Sequence, residues 1–526
     1  MRRTILSIMM AASAAIAFPA DVTPAVQQAR ADIERAMDII DATWETSIKG
    51  DSGNLYLADS YNTFTGIASG PSDVWPYTAA IEAHCSLLEA IDLFSETDPD
   101  IFADKRELYI ERLNMLIDNL EYYQGTITLP SYATQKTWKP YAVPRSNRRG
   151  GADVSGILNV YDDQMWLARE LIRAYRITDN TDYLDIATHL TDYAIDGWDC
   201  WRDENGEEYG GITWGPGYNS KHACSNAPII QPLVWLSEIY KDSDETVTYF
   251  FRNESNAVKS ESRDRSAHYL DFAAKIYDWQ KRKLQNPSGV YWDMMGADNT
   301  IIVKRGYRQH VDCGGATGQF FSYNTGTMIS GGAELYKATD DAIYLADIEK
   351  SSQGAFQEFA KYTRKYNTYE FTTDETAQNG FNTWFNDVLM RSYVDAYPYI
   401  GNTSAKNTLN SFQTNLDYAF INHNRGNMLP IMLLNGWGTE TVTKGFHQFS
   451  FASEYAMLAV WHLSQEGDNA AVGDIIATPG SPDRLTPGRT PNSVYTLTGI
   501  YLGEKEDISS HLPTGIYIVG NKKCVL

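Results

Sequence analysis

The 526-residue chain is 43% hydrophobic and 21% charged, a balance that excludes a disordered chain, a collagen repeat and a small fold dependent on disulfide staples. Its 44 Lys and Arg against 67 Asp and Glu leave a net charge of −23, which disfavours nucleic acid and anionic lipid because both are bound by neutralising phosphates. A neutral or cationic partner fits that charge, and 34 Tyr and 13 Trp supply amphipathic rings suited to the faces of polar ligands.

In chain order, Arg2 and Arg3 precede an apolar run from Ile5 to Ile16 and the small-residue step Ala15-Ile16-Ala17. This is the layout of a secretory leader over residues 1–17, and it predicts export to the periplasm, the cell surface or the medium. The run is shorter than the roughly 18 apolar residues a spanning helix needs, so no membrane insertion is expected.

Apolar residues at three- and four-residue spacing then predict twelve helices. They lie near residues 24–46, 74–97, 99–124, 161–178, 181–198, 222–241, 264–283, 320–338, 340–362, 378–397, 402–421 and 445–464. Two of the junctions repeat. Ala174-Tyr175-Arg176-Ile177-Thr178-Asp179 followed by Tyr183-Leu184 corresponds to Leu335-Tyr336-Lys337-Ala338-Thr339-Asp340 followed by Tyr344-Leu345. A third copy, Ile239-Tyr240-Lys241-Asp242 and then Tyr269-Leu270, is split by a polar insertion at about 243–264. A helix pair of this kind cannot bury its apolar face alone and must stack on its neighbours. Six pairs predict an all-α (α/α)6 toroid over residues 18–471. Open helical arrays keep near-constant periods of about 34–47 residues, whereas these units vary in length, as suits loops that build a site.

Residues 472–492, with Thr478-Pro479-Gly480-Ser481-Pro482 and Thr486-Pro487-Gly488-Arg489-Thr490-Pro491, read as a linker. The tail at 493–526 reads as short β-rich segments, and its Leu512-Pro513-Thr514-Gly515-Ile516-Tyr517 with Lys522-Lys523 resembles the C-terminal sorting-type tails of exported Bacteroidetes proteins. Truncation at about residue 470 is therefore expected to leave hydrolysis and the melting curve unchanged, as measured on the purified truncate. An inactive or insoluble product would show that the tail packs on the barrel.

Five cysteines, Cys85, Cys200, Cys224, Cys313 and Cys524, stand far apart without a CxxC pair, so no disulfide framework or zinc site is indicated, and Cys200 with Cys224 is the one pairing left open. The nine histidines form no HExxH motif, and Gly314-Gly315 lacks a phosphate-binding context. No metal and no cofactor are expected.

The sharpest local feature is Tyr161-Asp162-Asp163-Gln164-Met165-Trp166 at the start of the fourth helix. Aspartates in a first turn ordinarily accept orphan amide hydrogens and complement the helix dipole. Two side by side at a helix start also reach a common cleft, where ionising one raises the pKa of the other. The string Tyr-Asp-Asp-Gln-x-Trp, followed by Arg173-Ala174-Tyr175, resembles the signature of glycoside hydrolase family 76, the bacterial α-1,6-mannanases with their fungal cell-wall relatives. Gly210-Gly211-Ile212-Thr213-Trp214, Lys221, Asn226, Tyr323-Asn324-Thr325-Gly326, Phe385 and Arg391 follow in the family's order. The chain departs from it at Phe385-Asn386-Asp387, where the family often has Phe-Lys-Gly. The resemblance spans about residues 30–465.

It implies a retaining glycosidase on an (α/α)6 barrel acting on the backbone of a fungal-type α-mannan, with Asp162 as nucleophile and Asp163 as acid/base; a monomer is expected. Around that pair, Trp75, Tyr77 and Trp214 are candidate sugar platforms, and Lys221, Asn226, Tyr323, Asn324 and Arg391 are candidate substrate contacts. Competing readings are an inverting glycosidase, lyase, epimerase or transglycosylase on the same barrel, or a glycan-binding barrel without activity, because fold alone does not decide activity.

Overall fold

The computed structural model describes residues 23–296, 301–371 and 381–466, together with four short strands between 493 and 525. The expected leader and linker lie outside these residues. Among the described residues twelve α-helices occur close to where the periodicity places them, except that the sixth starts at Ile230 and not near 222, where Lys221–His222 is a strand: α1 (Pro24–Ser47), α2 (Val74–Phe94), α3 (Ala103–Asp118), α4 (Tyr161–Thr178), α5 (Thr181–Asp196) and α6 (Ile230–Tyr240). They continue as α7 (Arg265–Leu284), α8 (Ser322–Thr339), α9 (Ala342–Phe359), α10 (Phe381–Ile400), α11 (Thr403–Asn422) and α12 (Gly445–Glu466).

The even-numbered helices form the inner ring of an (α/α)6 barrel: each packs on the next, and α12 closes on α2. The odd-numbered helices stand outside them, α5 on α4, α7 on α6, α9 on α8. Composition decides which helix goes where. α2 buries residues around its whole circumference, Val74 through Phe94, as a helix surrounded by others must. By contrast α3 buries only Tyr109, Leu113, Leu116 and Ile117, one stripe at helical spacing. Close approach within the ring uses glycine: a Cβ on Gly326 of α8 would stand 3.0 Å from the Leu389 Cα and the Val388 carbonyl of α10.

The sequence repeat is the tight turn joining an inner helix to its outer partner. Asp179 and Asp340 end α4 and α8 in the left-handed region at φ 56°, a conformation that Asp tolerates better than most residues. Thr178 and Thr339 return their hydroxyls to Ala174 and Leu335 carbonyls at 2.7 Å. Asn180 and Asp341 then cap the next helix by accepting from Asp182 and Ile343 amides. In the split third copy, the insertion forms an antiparallel hairpin, Thr246–Arg252 against Val258–Asp264. Its last residue, Asp264, caps α7 by accepting from the Ala267 amide at 2.8 Å.

The connections differ sharply between the two ends of the barrel. Turns at the C-terminal ends of α4, α8 and α10 are two residues long, whereas segments 48–73, 119–160, 197–229, 285–321 and 423–444 lead into the N-terminal ends of inner helices. These long loops tie one another together. Lys221–His222, Trp292–Met295 and Ala316–Phe320 form a three-stranded antiparallel sheet, and Val442–Thr443 pairs with Tyr61–Asn62. The four C-terminal strands, Ser493–Tyr495, Tyr501–Glu504, Ile516–Val519 and Lys522–Val525, make one antiparallel sheet; the side chains of the sorting-type tail lie outside the described residues. Among the described residues no helix is long and apolar enough to cross a membrane.

Candidate active site

The paired aspartates open α4 on the face that carries the long loops. The chain enters the helix through Val160, extended at φ −121° and ψ 145°, with no side-chain cap. Its path is fixed from both sides. The Tyr161 amide donates to the Trp214 carbonyl at 2.8 Å. Gln164 accepts from the Tyr141 amide and donates to the Tyr141 carbonyl, both at 2.8 Å. Asp162 and Asp163 are thus held by hydrogen bonds from their flanking residues to the backbone of two different loops.

The two carboxyls have different surroundings. Asp162 Oδ1 accepts from the Asp163 amide at 3.0 Å, and Oδ2 accepts from Trp214 Nε1 at 3.2 Å. The Cys224 thiol also hydrogen-bonds to it. Burial pushes Asp162 up to about 6, and those hydrogen bonds hold it from rising further. Asp163 is raised well above the ordinary carboxylate range, by burial first and then by the negative charges of Asp162 and Asp73. A pair driven apart in this way is poised with one carboxylate and one carboxylic acid at neutral pH.

The floor below the pair is aromatic. Trp166, Tyr323, Trp384, Phe385 and Phe446 form one buried cluster, with Trp75 and Trp214 packed against it. Tyr323 stacks on Phe385 at 4.1 Å between centroids, and Trp75 meets Phe446 edge-on at 5.0 Å. Tyr323 hydrogen-bonds Cys224, so a short relay runs from α8 through that thiol to Asp162. Trp214 reaches Asp162 directly and Tyr323 reaches it through Cys224, while Trp75 packs in the aromatic cluster beside them. Trp214 is less a free platform than a positioning group: its ring stacks on His222 at 4.8 Å and leans on Tyr218 at 4.7 Å, while its N–H holds Asp162.

Asn324 also faces this region. Its Nδ2 donates to Asp293 Oδ1 at 3.4 Å, and Asp293 is raised by burial to about 6. Asp293, on the strand Trp292–Met295, is a third carboxyl beside Cys224 and Tyr323. The sequence motifs leave Asp293 unmarked, and Cys224 stands out only as a possible disulfide partner of Cys200. The available signal for Asp293 is a lone carboxylate among Tyr291, Trp292, Met294 and Met295.

Four sequence candidates have their polar groups committed inside the protein. Tyr77 is fully buried, and its hydroxyl donates to the Leu116 carbonyl at 2.8 Å, joining α2 to α3. Lys221 Nζ sits 2.8 Å from Asp199 in a buried ion pair. Asn226 donates to the Ile212 and His222 carbonyls and accepts from the Ile212 amide, fastening the loop that carries Trp214. Arg391 forms a buried ion pair with Glu82, whose other oxygen accepts from Trp384 Nε1 at 2.8 Å. It supports the floor from beneath. The Cys200–Cys224 pairing does not form, since both thiols are free and buried. Among the described residues no group of three or more His, Cys, Asp or Glu could hold a metal ion.

The sequence pattern of glycosyl hydrolase family 76 matches residues 117–249 and 261–448. No curated protein matches the chain. Among solved structures, a family 76 mannosidase from Bacteroides thetaiotaomicron is 19% identical, with a TM-score of 0.58 over 83% of this chain and 99% of its own. An inactive variant of an α-1,6-mannanase from Salegentibacter sp., two consecutive aspartates replaced by asparagine, in complex with α-1,6-mannotriose, is 18% identical with a TM-score of 0.54, covering 82% of this chain and 99% of its own. A protein from Listeria innocua, 19% identical with a TM-score of 0.54, covers 83% of this chain and 98% of its own. At these identities the structures speak for the fold, and the pattern match over most of the barrel speaks for the family. With paired aspartates at the head of α4 and that match around them, the chain belongs to glycosyl hydrolase family 76 and is a glycoside hydrolase.

Proposed function

We propose that the chain is an exported, retaining endo-α-1,6-mannanase that cuts the backbone of a fungal-type or related α-mannan. The observation that carries the reading is the division of labour within one dipeptide. Asp162, supplied with donors by Trp214, Cys224 and the Asp163 amide, is the member kept as carboxylate. Asp163, facing negative charge, is the member that keeps a proton. The mannan reading draws on the family match and on the mannotriose complex of the Salegentibacter relative. The export reading draws on Arg2, Arg3 and the apolar run behind them.

In the first step an Asp162 oxygen attacks the anomeric carbon while the glycosidic bond breaks and the Asp163 proton passes to the leaving oxygen. In the second, water attacks the same carbon from the vacated side, giving its proton to the Asp163 carboxylate and releasing Asp162. Two inversions return the substrate's own α configuration. Proton NMR of α-1,6-mannan digestion in the first minutes, before mutarotation, is expected to show α-mannose at the new reducing ends. An initial β signal would mean inversion and would move the general base to another carboxylate.

The protonation states set the pH profile. Activity needs Asp162 ionised, so kcat/KM falls on the acid side with a limb near pH 6. It also needs Asp163 protonated, so activity falls again at higher pH as that proton is lost. The two limbs belong to the coupled pair as a whole. A profile that stays flat from acid pH upward would remove these assignments.

A further inference from the structure

Away from the cleft, a cavity of about 320 Å³ opens on the flank of the barrel between α5 and α7. Its volume falls within the roughly 300–1,000 Å³ of small-molecule sites. α5 contributes Asp192 and Asp196, α7 contributes Arg265, and two hairpins wall it in. Lys136 and Trp138 come from the hairpin Ile127–Pro130 with Gln135–Trp138. Phe250 comes from the insertion that splits the third helix pair. Where the other two copies of that junction use a two-residue turn, closing the barrel does not require this hairpin. Its tip also falls in the gap between the two stretches matched by the family pattern. The cavity is thus lined in part by a residue, Phe250, that lies outside the two matched stretches.

The chemistry of its wall is specific. Asp192 accepts from the Tyr269 hydroxyl at 2.9 Å, which fills one of about four acceptor directions of a carboxylate. Asp196 accepts from the Thr134 hydroxyl at 2.8 Å and lies 3.8 Å from Lys136 Nζ. Burial raises both carboxyls above their ordinary range. The Lys136 ammonium lies 5.3 Å from the Trp138 ring centre and 5.4 Å from that of Phe250. Two cations against two carboxylates leave no net charge to select an ion. Carboxylate acceptors beside aromatic rings suit a ligand with hydroxyls on its edges and apolar C–H faces.

We propose that this flank cavity is a second carbohydrate-binding site, separate from the catalytic cleft, taking a neutral pyranose unit against Phe250 with its hydroxyls on Asp192 and Asp196. Such a site would keep the enzyme on its polysaccharide between cuts. The pyranose class does not depend on the mannan reading, so the test uses three probes: methyl α-mannoside, methyl β-glucoside and methyl β-galactoside.

Ligand-detected NMR titrations on the full chain, and on its Asp196→Asn and Phe250→Ala variants, measure binding of each probe. At least one glycoside is expected to bind the parent chain in a component that both variants weaken fivefold or more. Hydrolysis of a short soluble substrate should stay within twofold. Asp196→Asn keeps the shape of the side chain, so it remains decisive if Phe250→Ala fails to fold. Binding of all three glycosides unchanged in Asp196→Asn, or no binding of any to the parent, overturns the proposal. Loss of hydrolysis in parallel with loss of binding would also overturn it, because the flank would then be part of the cleft.

Discussion

Replacing Asp163 by Asn is expected to lower hydrolysis of α-1,6-mannan by about 10²–10⁴-fold, the usual contribution of a positioned acid/base, while raising the melting temperature at neutral pH. The activity loss follows because the amide N–H is not acidic enough to protonate the leaving oxygen. The stability gain follows from linkage. With its folded pKa well above the ordinary 3.8, Asp163 is ionised in the unfolded chain and protonated in the folded one across the window between the two values. Unfolding there releases a proton, so this group's contribution to stability declines as pH rises through the window and is absent below about pH 3.8. Asn removes that decline, and no helix cap is lost because Val160 occupies the cap position. Asp162→Asn should be at least as damaging to hydrolysis, since it replaces the attacking carboxylate by a neutral, weakly nucleophilic amide. Initial rates beside thermal melts at several pH values test both claims. Near-normal activity in either variant would sink the assignment of the pair, and a Tm of Asp163→Asn below the parent at pH 7 would contradict the electrostatic account.

Lys221→Met is expected to destabilise the fold by about 3–5 kcal/mol, the cost of leaving one member of a buried ion pair uncompensated. Both side chains are almost fully enclosed, at 5% and 0% exposure. Burial pushes Asp199 up, but the Lys221 charge and the His310 hydrogen bond pull its pKa below the ordinary range. A depressed folded pKa contributes stability that is complete above the unfolded value and is lost as pH falls through the folded one. The deficit of Lys221→Met should therefore be full at neutral pH and shrink in acid, as read from urea midpoints across pH. Hydrolysis falls with it, because Lys221 leads into the segment through Cys224 and Asn226 whose bonds hold Trp214 and Asp162. A stable Lys221→Met variant with a raised KM and unchanged kcat would instead return Lys221 to the substrate, as the family order alone suggests.

Twelve helices, their pairing and the position of the acidic dipeptide were legible from local pattern. Each rests on information within one or two turns: apolar spacing for α1 to α12, the Thr-Asp turn for α4–α5 and α8–α9, and adjacency for Asp162 and Asp163. Even the irregular third pair was legible as an interruption, although its polar run gave no sign that it pairs as strands. Which polar residues face the cleft was not legible there, because long-range contacts set it. Lys221, Asn226 and Arg391 stand in the family's order, but their partners are Asp199, the Ile212 backbone and Glu82. Asp293 and Cys224 enter the site instead, brought there by a sheet between two long loops and by a relay from α8. A loop residue has no period that fixes its direction. Its side chain goes where burying it costs least, and for a charge that means wherever the opposite charge is folded, a choice made by contacts far apart along the chain.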